Sequence, residues 1–509
     1  MPGDESSEGV KRDIPEQRSA FAQIVRSTGL YTALTVVQRG MSILLLPLYT
    51  RYLTTADYGV LDLLDTMINL FGILAGSRFV SAFFYFYGNA ASQEAKRRTL
   101  GTAVTGSILV GFVAFLLGFG LAPFAGAFFL QGHTYTFPLA LLLLSFASSL
   151  PAETARCWLK AEDQPIRFGL ASTLQALLNI FLTVLLVVHF RMGYMAVLWA
   201  SAVSGVLAAV GTGAWALRES GLQFDKALFL QMARYTAPLG ISGLSLFVLH
   251  SADRFFLKRS TTLAEIGTYA LAYKFGMLLS LLTTAFYSYW HARMYQHVTG
   301  NEQATVFSQV MTHLLAITTW VAFGMWMLAG PILRITVDAS YLAAVKYIPW
   351  LLLAYLLRTA ADYLRTAFLL KNRVPTDAKV NVYAAAVCLA AYAALIPRWQ
   401  VWGAVVATNI GFLSLAFFSY FSARRVLPFR IQWGSVARLG ATAAALGFAR
   451  LTVPVQSIAS QFIFGTLLTC LFPLLLWQSG YLRGSELLAV KEEIRRFRQA
   501  RAGGRAEPV

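Results

Sequence analysis

The chain has 509 residues, of which 57% are hydrophobic and 13% charged, against about 25% charge in an ordinary soluble domain. That balance excludes a soluble globular protein: apolar runs of about 20 residues, the length that crosses ~30 Å of hydrocarbon, recur along nearly the whole chain. The net charge of +18 lies mainly in short loops and at the C-terminus, a distribution that suits anionic lipid headgroups and not nucleic acid.

In chain order, Met1 to Arg18 is polar and of mixed charge, with no signal-peptide core, so residues 1–23 read as a cytoplasmic tail. Fourteen spans follow, at about 26–49, 57–86, 99–122, 135–157, 168–190, 194–217, 234–257, 264–290, 306–329, 341–370, 376–397, 401–423, 435–453 and 457–480. The runs are continuously apolar and do not alternate at period two, so they are helices and not barrel strands. No polar stretch between them is long enough for a soluble domain. After the last span, residues 481–509 place Leu487, Val490, Ile494 and Phe497 at helical spacing among many arginines. This predicts a basic amphipathic tail on the inner leaflet, acting chiefly as a positive clamp.

Loop charges set the orientation. With the N-terminus inside, the cytoplasmic connections hold Lys96, Arg97 and Arg98, then Lys160 and Arg167, then Arg218 and Lys226, and later Lys371, Arg373, Arg424, Arg425 and Arg430. The opposite loops are poorer, Lys258 and Arg259 being the exception. An even number of spans returns the Arg-rich C-terminus to the inside, so both termini are expected in the cytoplasm of an inner (cytoplasmic) membrane.

The most informative feature is a repeat. Gln23-Ile-Val-Arg26-Ser-Thr28 matches Gln231-Met-Ala-Arg234-Tyr-Thr236, and Arg51-Tyr-Leu-Thr54-Thr-Ala56-Asp57-Tyr-Gly59 matches Arg259-Ser-Thr-Thr262-Leu-Ala264-Glu265-Ile-Gly267. Both matches fall at the same offset of 208 residues, on either side of a hydrophobic span. Six helices separate the copies, so both run in the same direction. The expected fold is an all-α membrane protein of about 14 transmembrane helices: an N-lobe at 24–217 and a C-lobe at 218–424, six helices each and related by a parallel pseudo-twofold, with two more helices at 425–480. Within the repeat, Thr54 with Asp57 and Thr262 with Glu265 read first as capping boxes and only second as substrate ligands.

In this setting the chain resembles the polysaccharide (Wzx-type) flippases of the multidrug/oligosaccharidyl-lipid/polysaccharide exporter superfamily. The resemblance rests on Pro47-Leu-Tyr-Thr-Arg51-Tyr-Leu-Thr-Thr-Ala-Asp57-Tyr-Gly59, Ser251-Ala-Asp253-Arg254, Gly267-Thr-Tyr269, Tyr341-Leu-Ala-Ala-Val, Leu395-Ile-Pro397 and Gly403-Ala-Val-Val-Ala-Thr408. Each motif is weak alone; their order and spacing, over roughly residues 20 to 425, carry the likeness. It implies alternating-access export of an undecaprenyl-diphosphate-linked oligosaccharide to the outer leaflet, for surface or exopolysaccharide biosynthesis. The implied partners are a polyprenyl-diphosphate-linked glycan, membrane lipids and other polysaccharide assembly proteins. A lipid II flippase and a MATE-like drug or cation antiporter are the alternatives, and a membrane glycosyltransferase or polymerase ranks lower because no connection is long enough for its machinery.

Charges inside spans are costly and mark function by default. Arg39 sits halfway along the first span, Lys274 near mid-depth of the eighth, and Arg358 and Arg365 share one face of the tenth with Asp362. With Arg78 as an outlying member, these bases are the candidate lining of a cationic cavity, since guanidinium binds diphosphate oxygens bidentately. Asp62, Asp65, Asp253 and Asp362 are the candidates for coupling to a proton or sodium gradient, and Asp62 or Asp65 is placed to pair with Arg39. Phe83-Phe-Tyr-Phe-Tyr87 and Tyr287-Ser-Tyr-Trp290 read as interfacial aromatic anchors. The six histidines and three cysteines show no metal spacing, and no nucleophile elbow, P-loop or dinucleotide turn occurs. Neither an enzyme nor a bound cofactor or metal is therefore expected.

Overall fold

The computed structural model describes residues 45–74, 79–129, 135–298, 303–453, 455 and 457–481. Their regular elements are all helical. They are α1 (Leu46–Tyr52), α2 (Thr55–Leu74), α3 (Phe79–Gly88), α4 (Gln93–Phe129), α5 (Thr136–Ala161), α6 (Pro165–Val184, continued by one π turn), α7 (Tyr194–Ser220), α8 (Lys226–Ser251), α9 (Asp253–Ser260) and α10 (Leu263–His297). Then come α11 (Gln303–Thr336), a 3-10 segment (Ala339–Lys346), α12 (Ile348–Leu370), α13 (Val374–Val426), α14 (Trp433–Thr452) and α15 (Ile458–Gln478). Residues 26–44 of the first span, Arg39 among them, Arg78 and the basic tail beyond Tyr481 lie outside the described residues.

Among the described residues eight helices are long and apolar enough to cross a membrane, or nine with the bent pair Ala339–Lys346 and Ile348–Leu370. Helix α13 is two of the expected spans written as one. At ~1.5 Å per residue its 53 residues would reach about 80 Å, far beyond a ~30 Å bilayer core. Gln400 breaks it, with φ 51° and ψ −124°. A methyl group on Gly403 would lie 2.8 Å from the Ile396 Cα, and one on Gly411 3.0 Å from the Cys388 Cβ. Residues equidistant from the break therefore touch, and the stretch is an antiparallel helical hairpin. The absent Cβ at both glycines lets the two limbs approach closely, the usual means of packing helices in lipid.

The described residues cluster into two compact units. One comprises the described parts of Met1–Tyr273, Thr336–Ala344 and Ala378–Leu415. One core within it joins Phe83, Tyr87, Leu100, Trp158, Phe168 and Met232. Phe83 and Tyr87 were expected as interfacial anchors; they are buried instead, while Tyr85, between them in sequence, is exposed and stacks on Tyr235 at 4.9 Å. The helical period explains the split, since Phe83 and Tyr87, four residues apart, share the inward face while Phe84 and Tyr85 point outward.

The second unit holds the described parts of Lys274–Ile335, Val345–Asp377 and Ala416–Val509. Here α14 and α15 pack on α11 through Phe323, Met327, Leu439, Leu446, Leu468 and Phe472. Polar ties at the contact bridge to backbone: Trp320 Nε1 donates to the Thr469 carbonyl at 2.8 Å and the Tyr481 hydroxyl to that of Thr312 at 2.8 Å. Satisfying each donor this way matters more in lipid than in water.

Candidate functional site: repeat turns and buried charge clusters

The two copies of the repeat build the same local structure. At the first, the Thr54 amide and hydroxyl donate to Asp57 Oδ2 at 3.1 and 2.8 Å, and the Asp57 amide donates back to Thr54 Oγ1 at 3.1 Å. At the second, the Glu265 amide donates to Thr262 Oγ1 at 3.3 Å. These are capping contacts that satisfy free amides at the starts of α2 and α10. Five residues beyond each capping threonine comes the repeat glycine. A methyl group on Gly59 would overlap the Leu263 carbonyl and lie 3.1 Å from the Gly267 amide. One on Gly267 would overlap the Thr55 carbonyl and lie 2.9 Å from the Gly59 amide. Thr55 and Leu263 are themselves equivalent in the repeat, so each copy touches the other in the same way, as across a twofold axis. Tyr341, from another of the motifs, anchors this turn by donating its hydroxyl to the Leu53 and Thr54 carbonyls at 3.1 and 2.9 Å.

Asp253 and Arg254 form the next cluster. Asp253 is fully buried; it accepts from Arg254 Nη1 at 2.8 Å and from the Tyr269 hydroxyl at 2.6 Å. Arg254 also donates through Nε to Asp62 Oδ2 at 3.1 Å and through Nη1 to the His250 carbonyl at 2.9 Å. Its guanidinium lies 4.1 Å from the centre of the Tyr273 ring. Asp62 thus meets Arg254, while its candidate partner Arg39 lies outside the described residues. Sequence reasoning took Arg254 and Tyr269 only as motif residues, without a site role, and passed over Tyr273. The signal was present: a base adjacent to Asp253, and two tyrosines one turn apart at the start of the following helix. Asp65, one turn beyond Asp62 on α2, is exposed. Two carboxylates share one guanidinium within this cluster, and the Tyr269 hydroxyl gives Asp253 a further donor.

In the second unit Arg358, Asp362 and Arg365 lie on one face of α12, as their spacing predicts. Arg358 Nε is 3.3 Å from Asp362 Oδ2 and Arg365 Nη1 is 3.0 Å from Asp362 Oδ1. Arg365 also grips Asp377 with both arms, Nε to Oδ1 at 2.5 Å and Nη2 to Oδ2 at 2.9 Å. Two bases meet two acids, so the cluster balances. Arg365 is the better held, while Arg358 has a single, longer ion pair among the described residues. Tyr287, which begins the second aromatic run, donates its hydroxyl to the Thr359 carbonyl at 3.0 Å and so packs on this helix. Lys274 on α10 is exposed, and no ion pair or hydrogen bond engages its ammonium among the described residues. No group of three or more metal-ligating side chains occurs among the described residues.

Comparison with known proteins places these features. The inward-closed lipid II flippase MurJ aligns with 88% of this chain and 99% of its own, at TM-score 0.70 and 13% identity. An inward-facing multidrug resistance MATE family transporter of the MOP superfamily aligns over 79% of this chain and 94% of its own, at TM-score 0.59 and 13% identity. The eukaryotic MATE transporter AtDTX14 covers 81% and 98%, at TM-score 0.54 and 13% identity. Identities this low establish a shared fold. No curated protein sequence matches the chain. The sequence family described as polysaccharide biosynthesis protein matches residues 24–290, more than half of the length and both copies of the repeat. The chain is a multi-pass membrane protein that belongs to this polysaccharide biosynthesis family.

Proposed function

We propose that the protein is a flippase that carries an undecaprenyl-diphosphate-linked oligosaccharide repeat unit from the inner to the outer leaflet of the inner membrane by alternating access. The family match is the observation that carries this reading, because it ties an export fold to polysaccharide biosynthesis. The moving bodies are the six-helix lobes 24–217 and 218–424, with both termini in the cytoplasm, and other polysaccharide assembly proteins act before and after it.

The site chemistry fits an anionic cargo. Arg39, Lys274, Arg358, Arg365 and Arg78 are the proposed cationic lining. Lys274 supports it best among the described residues, since its charge is exposed and unpaired within a long apolar helix. An ammonium retained there needs a counter-charge or water, and a lipid diphosphate in transit supplies the former. Arg358 and Arg365 share their face with acids, which keeps each contact weak enough to release what it binds. Asp62, Asp65, Asp253 and Asp362 are the proposed coupling groups for a proton or sodium gradient.

The experiment is reconstitution of the purified chain into vesicles with a fluorescent undecaprenyl-diphosphate-linked oligosaccharide added to one leaflet. Arrival of the headgroup at the other leaflet, faster than in protein-free vesicles, is the expected result. No acceleration with any lipid-linked glycan, with or without an ion gradient, overturns the reading.

A further inference from the structure

Five helices of the first unit end together around a cavity of about 200 Å³. Its walls come from the end of α3, the start of α4, the end of α5, the start of α6 and the end of α7. None of the proposed transport residues lines it. From the residues that do, we infer that this cavity is a docking subsite for a glycosyl phosphate, that is, a sugar ring with the phosphate on its anomeric carbon. The inference rests on the proposed function, because the basic loops at this end of the helices are the ones assigned to the cytoplasm, where a lipid-linked glycan is loaded.

Three features of the cavity select that chemistry. The first is an aromatic corner. The Trp158 and Trp215 rings stand nearly perpendicular, at 81°, with centres 5.6 Å apart. A pyranose has apolar C–H faces that pack on indole, while its hydroxyls demand polar neighbours. The second is the set of hydroxyl partners. Glu162 and Glu219 reach the cavity together with Gln93 and Gln164. Glu162 is positioned by the Tyr87 hydroxyl, which donates to it at 2.7 Å, and by Lys96 at 4.0 Å. The third is a cationic rim of Lys96, Arg97 and Arg167. Arg167 is aimed by its hydrogen bond to Gln164 Oε1, at 2.9 Å, and lies 5.4 Å from the centre of the Trp215 ring. Arg97 is exposed, with no ion-pair or hydrogen-bond partner among the described residues, so its fork is free for phosphate oxygens.

The combination matters more than any one part. A bare phosphate has no use for two indoles and is repelled by two carboxylates. A neutral sugar leaves Arg97 without a partner. A sugar carrying a phosphate uses the corner, the carboxylates and the cations at once, as a small concave site with a few convergent polar groups does. The lipid-linked glycan presents this unit at the membrane surface, where its first sugar meets the diphosphate.

The test is equilibrium dialysis of the purified full-length protein with labelled glucose 1-phosphate, galactose 1-phosphate and N-acetylglucosamine 1-phosphate, against the free sugars and inorganic phosphate. The expected result is saturable binding of at least one sugar phosphate, at least tenfold tighter than its free sugar or phosphate alone. Arg97→Ala and Trp215→Leu should each weaken it at least tenfold. Arg97 and Glu219 are exposed, so Arg97→Ala and Glu219→Gln keep the test decisive should Trp215→Leu fail to fold. Three outcomes overturn the inference: no saturable binding, phosphate binding as tightly as the sugar phosphates, or binding indifferent to all the variants that fold. Vesicle flipping by the same preparation separates the two claims. Flipping without sugar-phosphate binding removes the subsite and leaves the function, while sugar-phosphate binding without flipping upholds the subsite and removes the function.

Discussion

Gly59 and Gly267 face each other across a contact so close that neither has room for a methyl group. Each would drive its Cβ into the carbonyl at the start of the other's helix, Leu263 in one case and Thr55 in the other. The repeat in the sequence is therefore a repeat in space, with its two copies in direct contact.

This symmetry predicts matched effects. Gly59→Ala and Gly267→Ala should each lower the Tm of the detergent-solubilised protein, by an overpacking cost of about 1–3 kcal/mol. The double variant should cost less than the two singles added, because the first methyl already separates the helices. Thermal unfolding of all three variants is the measurement. A harmless Gly267→Ala beside a severe Gly59→Ala would show that the contact is not reciprocal.

The Asp253–Arg254–Asp62 cluster predicts an ordering. Arg254→Leu strands a fully buried carboxylate and should cost about 3–5 kcal/mol, the loss that follows removal of one member of a buried pair. Asp253→Asn keeps an acceptor for Tyr269 and should cost less. Adding Asp253→Asn to Arg254→Leu should restore much of the lost folded protein, since the stranded charge is then gone. Monodisperse yield from the membrane checks the series, and a double variant worse than Arg254→Leu alone would contradict it.

Much of this was legible in the sequence, and the reason is physical. A capping box is local, so Thr54 with Asp57 could be read directly, and the spacing of Arg358, Asp362 and Arg365 fixed a shared face on α12. The break at Gln400 could be placed because Pro397 and Gly403 interrupt two apolar runs. What the sequence hid depends on contacts between distant segments. Arg254 reaches Asp62 across 192 residues, and Tyr341 reaches the turn at Leu53 across 288. The cavity at Trp158 and Trp215 gathers the ends of five helices, each of which alone reads as an ordinary interfacial anchor. Phe83 and Tyr87 were misplaced for the same reason: a run of rings at a helix end looks alike whether its inner face meets lipid or protein.

A pH effect follows at the start of α8. Asp225 accepts from the Leu228 and Ala227 amides at 3.2 and 2.9 Å and lies 2.6 Å from Arg98 Nη2. The Leu228 amide first, with the Ala227 amide and the Arg98 guanidinium, holds its carboxyl below the usual carboxylate range. A depressed value in the folded chain means the unfolded chain binds the proton more readily. The stabilisation is therefore present above about pH 4, the unfolded value for Asp, and is lost as pH falls through the folded one. Asp225→Asn keeps a good cap without the charge. Its Tm should lie below that of the native chain at pH 6 and approach it near pH 3, in buffers of about equal ionic strength. A gap that widens on acidification would give the wrong sign.

The last prediction concerns the cations. Lys274, Arg358 and Arg365 were grouped by depth and sign, and the structure separates them by partner. Arg365 is held by two aspartates, with both arms on Asp377. Arg365→Ala should therefore act through folding, lowering membrane abundance and export in proportion, because it takes both guanidinium arms away from Asp377 and one from Asp362. Lys274 has no such partner to strand. Lys274→Ala should leave abundance unchanged and cut glycan export per molecule several-fold, with Lys274→Arg keeping most of the activity because the charge survives. Arg358 should fall between them, since its one ion pair, at 3.3 Å, is long for a charge-assisted contact and a passing diphosphate can compete for it. Arg39→Ala should resemble Lys274→Ala, and Arg39→Lys should retain part of the activity while losing the bidentate fork. Export normalised to membrane abundance is the measurement that tells a folding loss from a transport loss. Normal export per molecule in Lys274→Ala, Arg358→Ala and Arg39→Ala together would remove the cationic path, leaving these charges as structural.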